Sequence, residues 1–247
     1  MSDIDIERFA RHIVLKEIGG PGQQALARAR IFITGAGGLG APAALYLAAA
    51  GIGHLTIADP DTVSLDNLQR QILYRTDEVG QPKVERAKAA LTALNPGTAI
   101  DAKKVALTPA NARDLIAGHD LVLDGTDDFA ARFAVNAACL AEGIPLVSGA
   151  VGRWDGQVGV FNAGPDAPCY RCLVPAIPPD AETCARVGIV GALTGVIGSL
   201  MALEAIKHIT GAGETLAGRL LIFDGLGGEA RTLKLARDPA CPGCGRG

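Results

Sequence analysis

The chain has 247 residues, of which 49% are hydrophobic, 20% charged and 4% aromatic, with 32 glycines. That balance is too apolar for a disordered chain, and glycine without a G-X-Y period excludes collagen. Twenty-three basic against 26 acidic side chains leave a net charge of −3, which argues against a general nucleic-acid or membrane-surface binder.

Ser2 and Asp5 predict a capping box for a first helix, with Ile6, Phe9 and Ile13 on one face and Arg8 and Arg11 nearby. Gly19-Gly-Pro-Gly22 reads as a break, followed by a short helical run to about residue 28. Residues 31–34 form the first clear strand, and a glycine loop and an Ala/Leu-rich helix ending at Gly51 follow. A second strand over 55–58 ends at Asp59. Pro82 opens a helix through Leu94, at a position where a missing N–H costs nothing. Next come a strand near 100–105, a helix opened by Thr108-Pro109, a strand over 121–124, a helix over about 129–141 and a strand over 145–148. Strands alternating with helices imply a mostly parallel sheet covered on both faces.

The pattern changes after about residue 150. Residues 157–161 alternate like an antiparallel strand, and 165–186 form a loop rich in Pro and Cys. A long apolar helix runs over about 189–209, and 220–223 with 231–235 read as a terminal hairpin joined by Asp224-Gly-Leu-Gly-Gly228. No internal repeat is present. The expectation is one α/β domain over 1–247: a Rossmann-like, doubly wound, mostly parallel sheet with an antiparallel C-terminal extension.

Two apolar stretches invite a membrane reading. Residues 31–58 are divided by glycines into strand, loop, helix and strand, and 187–203 spans 17 residues with four glycines, short of the roughly 20 a bilayer needs. Both are expected to be buried elements of a soluble protein. The N-terminus, Met1-Ser-Asp-Ile-Asp-Ile-Glu7, lacks the basic and apolar regions of a signal peptide, so a cytoplasmic location is expected. In that compartment, two C-x-x-C pairs favour a metal over disulfides.

Gly35-Ala-Gly-Gly-Leu-Gly40 matches G-x-G-x-x-G between a strand and a helix. Such glycines, Gly38 among them, let a phosphate or ribose approach the free N–H groups of a helix N-terminus. Asp59 ends the next strand and suits ribose hydroxyls. This pattern alone leaves NAD and ATP open, so an NAD(P)-dependent oxidoreductase is one reading.

The following segment favours the other. Asp59-Pro-Asp61-Thr-Val63 leads into Asn67-Leu-Gln-Arg70-Gln71, then Gln81-Pro82-Lys83, and Asp124-Gly-Thr-Asp127 comes later. With the Arg8–Arg11 helix, Cys169-Tyr-Arg-Cys172, the helix over 195–207 and Cys241-Pro-Gly-Cys244, nearly the whole chain resembles the ThiF/MoeB/HesA family, relatives of ubiquitin-activating enzymes.

The resemblance implies ATP-dependent adenylylation of the C-terminal Gly-Gly carboxylate of a small ubiquitin-like sulfur carrier, of the thiamin or molybdopterin type. Pyrophosphate is released, and thiocarboxylate formation follows. It places Arg70 and Lys83 at the phosphates with Asn67 beside them, Asp59 at the ribose and Asp127 on magnesium. Arg11 would reach the nucleotide of a neighbouring subunit, implying a homodimer. Cys169, Cys172, Cys241 and Cys244 would hold a structural zinc; two reduced or redox-active pairs are the alternative. Cys184, beside Arg186, is either a sulfur-transfer nucleophile or an incidental loop cysteine. The sulfur donor would be a separate cysteine desulfurase or rhodanese. The halves 1–150 and 151–247 would serve nucleotide binding and carrier-plus-zinc binding.

Two positions depart from the family pattern: His12 follows Arg11, and Asp128 follows Asp127, where it could alter metal affinity or pair with Arg132. The histidines form no ligand spacing, Cys139 reads as core, and Trp154 as packing near a turn. A non-catalytic adaptor of the same fold is a further alternative, disfavoured by Arg11, Arg70, Lys83 and Asp127.

Overall fold

The computed structural model describes residues 5–178 and 188–245. Its helices are α1 (Ile6–Ile13), α2 (Gly19–Arg28), α3 (Gly40–Ala49), α4 (Lys83–Leu94), α5 (Ala112–Ile116), α6 (Phe129–Glu142), α7 (Tyr170–Leu173) and α8 (Gly191–Thr210). Its strands are β1 (Arg30–Thr34), β2 (His54–Ala58), β3 (Ala99–Lys103), β4 (Leu121–Asp124), β5 (Leu146–Gly152), β6 (Asp155–Phe161), β7 (Arg219–Asp224) and β8 (Glu229–Lys234). All eight strands join one sheet in the order β3-β2-β1-β4-β5-β6-β7-β8. The first five run parallel, and each pairing from β5 onward is antiparallel. The doubly wound reading and its antiparallel extension therefore hold.

Alternation along the central strands divides the core between the two faces. Ile31 and Ile33 of β1, with Leu121 and Leu123 of β4, pack with α3, α4 and α8 through residues such as Leu47, Leu91 and Ile197. Phe32 and Val122 point the other way, into a cluster with Ile116 of α5, Val135 of α6 and Tyr170 of α7. Cys139 is fully buried there, as expected of a core thiol.

Helix α8 is long and apolar enough to cross a membrane by length and composition. It lies instead against α3, β5 and β6, with Leu193, Ile197, Met201, Ala202 and Ala205 buried. Its Lys207 pairs with Glu204 as the spacing suggests, and Glu204 also accepts the Leu216 N–H at 2.6 Å, pinning the turn after the helix.

Several boundaries differ from the sequence reading, each for a local reason. Asp5 is itself the N-cap of α1, accepting the Arg8 N–H at 3.0 Å, while Ser2 lies outside the described residues. The glycines at 19–22 do not interrupt the chain but form the first turn of α2, where Pro21 lacks only an N–H that would be orphaned anyway. Pro82 is the N-cap of α4 and not its first residue, its carbonyl accepting the Arg86 N–H. Helix α5 starts later than Thr108-Pro109, because Asn111 accepts the Thr108 N–H at 2.8 Å and closes a turn first. Trp154 sits at the β5–β6 turn and is 45% exposed.

Candidate active site

A cavity of about 510 Å³ opens at the carboxyl ends of β1, β2 and β4. In a doubly wound sheet this is where the strand order reverses and where ligands bind. The β1–α3 loop contributes Gly35, Gly37 and Gly38 to its wall. The turn is feasible only with glycine at its ends. Gly35 sits at φ +84°, and a Cβ on Gly40 would fall 1.8 Å from the Gly35 carbonyl oxygen.

Asp59, at the end of β2, is buried and lines the cavity. Its oxygens accept the backbone N–H groups of Ala36 and Asp61, both at 2.8 Å, so the carboxylate ties the glycine loop to β2. Burial pushes its carboxyl above the usual aspartate range, and the nearby Lys83 ammonium opposes that rise. Tyr74 donates to the Ala36 carbonyl at 2.7 Å, and burial raises its phenol pKa so that it stays protonated.

The cations are held with equal definition. Lys83 lies at the start of α4 with its side chain 6% exposed, its Nζ 2.9 Å from Asp61 Oδ2. Its backbone N–H donates to the Asp61 carbonyl as well. Arg70 Nη2 donates to Asn67 Oδ1 at 2.7 Å, and Gln71 Nε2 donates to the same oxygen at 2.9 Å. Asn67 therefore aims two donors by accepting from both. The Thr194 hydroxyl of α8, which donates to the Gly191 carbonyl at 2.7 Å, is shared with the Arg70 carbonyl at 3.2 Å, which brings this loop against the core helix.

Across the switch point, Asp127 and Asp128 line the cavity after β4. Asp128 is the N-cap of α6, its Oδ2 accepting the Ala131 N–H at 2.8 Å. It does not pair with Arg132. The carboxylate beside Arg132 is Asp124, at 3.8 Å, because both side chains are buried between β4 and α6 while Asp128 is turned to its helix end. Asp127 is exposed to the cavity. Its carboxylate, also within electrostatic reach of Arg132, could hold magnesium, which usually binds through one or two carboxylates plus phosphate oxygens.

The structure thus gathers Gly38, Asp59, Asn67, Arg70, Lys83, Asp127 and Asp128 around one cavity. Arg11 is not among its lining residues; it is exposed on α1. Cys184 and Arg186 lie outside the described residues. The described part of the 165–186 loop does border the cavity, through Tyr170, Val174 and Pro178. Sequence reasoning missed Asp61, Gln71 and Thr194 as site residues. The first two stood inside the quoted motifs, whereas Thr194 carried no signal of its own.

Apart from the cavity, Cys169, Cys172, Cys241 and Cys244 place their sulfurs within 4.8 Å of one another. The Cys169–Cys241 and Cys172–Cys244 sulfurs are 3.6 and 3.5 Å apart. Tetrahedral zinc–sulfur bonds of about 2.3 Å would set sulfurs about 3.8 Å apart, so the cluster fits with small adjustment. Backbone N–H groups of Gly243 and Asp238 point at Cys241 and Cys172 sulfurs, at 3.3 and 3.5 Å, contacts that stabilise a thiolate and, at Cys172, are outweighed by burial, which pushes the thiol up. Arg237 lashes the tail further, donating to the carbonyls of Pro165 and Cys244. Four cysteines can hold a metal here.

Comparison with known proteins agrees with this architecture. The ThiF family model matches residues 9–243. The chain is 48% identical over 246 residues to the molybdopterin-synthase adenylyltransferase of Escherichia coli, covering 100% of this chain and 99% of that one. It is 44% identical over 247 residues to the sulfur carrier protein adenylyltransferase of Thermus thermophilus, covering 98% and 91% of the two chains. Among solved structures, E. coli MccB superposes with a TM-score of 0.84 at 21% identity, covering 98% of this chain and 73% of that one, a likeness of fold. The chain belongs to the ThiF family.

Proposed function

We propose that this chain is an ATP-dependent adenylyltransferase acting on the C-terminal glycine carboxylate of a ubiquitin-like sulfur carrier. The observation that carries this reading is the meeting of a glycine loop with Arg70, Lys83 and Asp127 around one cavity. A pyrophosphate resting on a glycine loop, as in a dinucleotide oxidoreductase, needs no such set of cations. A triphosphate approached by a carboxylate does, because two anions must meet.

In this reading a carrier carboxylate oxygen bonds to the α-phosphorus as the bond from that phosphorus to the bridging oxygen of pyrophosphate breaks. Lys83 and Arg70 neutralise the charge that moves onto the leaving group. Asn67 keeps Arg70 aimed, Asp59 receives the ribose, and the glycine loop admits the backbone-close phosphate. Magnesium, held by Asp127, would neutralise further phosphate charge. Residues 1–150 form the nucleotide half, and 151–247 the half that receives the carrier tail and holds a structural zinc on Cys169, Cys172, Cys241 and Cys244.

Arg11 completes the site of a second protomer in a homodimer. Helix α1, which carries it, has no buried residue and leaves Ile6 71% exposed, with Val14 just after it at 75%, a face suited to a partner copy. The proposed compartment is the cytoplasm, with sulfur supplied by a separate protein.

The deciding measurement is carrier-dependent exchange of labelled pyrophosphate into ATP, run with thiamin-type and molybdopterin-type carriers. Exchange is expected with at least one. Its absence with every carrier, with nicotinamide dinucleotide bound instead, would overturn the reading.

A further inference from the structure

Arg132, on α6, is 6% exposed, lines the cavity and has no part in the reaction as described so far. Its guanidinium reaches four places. It donates to the Thr126 carbonyl, to the Gly149 carbonyl at 2.9 Å and to Ser148 Oγ at 3.2 Å, and it stands 3.8 Å from Asp124 Oδ2. Asp124 Oδ1 in turn accepts from the Thr126 N–H at 3.0 Å and from its hydroxyl at 2.7 Å. Thr126 immediately precedes Asp127, so the loop that presents Asp127 hangs from the Arg132–Asp124 pair at both its N–H and its C=O.

A second contact braces the guanidinium. The Tyr170 ring lies 5.8 Å from it, at cation–π range. Tyr170 follows Cys169 directly, and its backbone N–H donates at 2.8 Å to Asn136, one helical turn beyond Arg132. An arginine serving only to balance Asp124 would need one carboxylate. This one directs its planar fork at the carbonyls of two cavity segments, a task a point-charge ammonium cannot duplicate.

We infer that Arg132 is a positioning residue for adenylyl transfer, holding the 125–128 loop so that Asp127 faces the nucleotide, and that Tyr170 braces it from the cysteine centre. The inference rests on the adenylyltransferase reading. Displacing a reacting group's support by about 1 Å can cost about a hundredfold in rate, which sets the size of effect to look for.

The test uses the full chain with Arg132→Lys, which keeps a charge beside Asp124; Arg132→Ala would leave that carboxylate buried and unpaired. Three quantities are read: ATP dissociation constant, pyrophosphate exchange at saturating ATP and carrier, and the magnesium concentration giving half-maximal exchange. For Arg132→Lys, ATP affinity is expected to stay within about threefold, exchange to fall by about ten- to a hundredfold, and half-saturating magnesium to rise several-fold. Tyr170→Leu should move the same quantities less far, and Tyr170→Phe, which restores the aromatic face but not the phenol's hydrogen bond to Arg132, should recover part of that loss.

Exchange near wild type in Arg132→Lys overturns the inference. So does a loss that tracks loss of ATP binding, or one with unchanged magnesium dependence, since either would mark a purely structural residue. Failure of the wild-type protein to exchange at all would instead overturn the parent reading.

Discussion

The cavity at the sheet's switch point and the four-cysteine centre both assemble groups distant in sequence, but they are held together by different means. In the cavity, Lys83 leans on Asp61, Arg70 on Asn67, and Arg132 on Asp124. Asp124 ends a strand, Asp61 stands in the loop just after β2, and Asn67 closes a short 3-10 helix, so the geometry follows once the sheet and the loop after β2 have formed. The cysteine centre has a frame on one side only: Cys169 caps α7, whereas the 238–245 segment carries no helix or strand. Its segments are 72 positions apart, between Cys169 and Cys241, and its sulfurs chiefly face one another. As thiolates they would repel at that spacing, and a bound metal would offset the repulsion. One region is shaped by secondary structure; in the other, four cysteines that can hold a metal bring the ends of a long loop together.

Removing the ion should therefore break one region first. Closing a loop of about 70 residues carries a chain entropy worth about 4 kcal/mol. Treatment with a strong chelator is expected to lower the melting temperature by about 10 °C, at roughly 2–4 °C per kcal/mol for a chain of this size. Calorimetry with and without added zinc checks it, and an unchanged melting point would show that the tail is held without a metal. Lys83→Ala should do the reverse. On the proposed reading, loss of this ammonium is expected to lower pyrophosphate exchange by about a hundred- to a thousandfold. Stability should change by no more than about 2 kcal/mol, because the Asp61 side chain left behind is 63% exposed and returns to water, while buried Asp59, which loses the opposing ammonium, can take up a proton. A large drop in melting temperature in Lys83→Ala would show that the pair also supports the fold.

The same contrast explains what could be read from the sequence. The strands and helices of the parallel core were legible because strand alternation and helix periodicity are local signals, whereas their order in the sheet is set by the fold. Most of the cavity was legible too, because residues 59–83 carry Asp59, Asn67, Arg70 and Lys83 within one stretch of turns. What escaped were pairings made across the fold. Arg132 on an otherwise amphipathic helix reads as a surface charge, and only the packing of α6 on β4 sets it beside Asp124. Asp128 reads as a ligand or ion-pair partner, yet it serves the nearest unsatisfied N–H, that of Ala131. The four cysteines were visible as two pairs; that they form one centre was implied by family resemblance, since a separation of 72 positions carries no geometric signal.

The smallest expected effect concerns how far backbone shape alone builds the cavity. Gly38 lines it and reads as a close-approach position for a nucleotide. Yet a Cβ at Gly38 would meet Thr194 first, at 3.0 Å from its Cγ2 and 3.2 Å from its Cβ. Thr194 is buried on α8 and donates to the Arg70 carbonyl, so crowding there transmits to the cation loop. Gly38→Ala is expected to cost about 1 kcal/mol in stability and about a fivefold loss in ATP affinity. Thr194→Ser removes the methyl group and keeps the hydroxyl. If packing is the constraint, the double variant Gly38→Ala/Thr194→Ser regains most of the lost affinity in equilibrium ATP binding. If affinity stays low while stability returns, the added Cβ meets the nucleotide itself, and Gly38 is required by the ligand and not by the helix behind it.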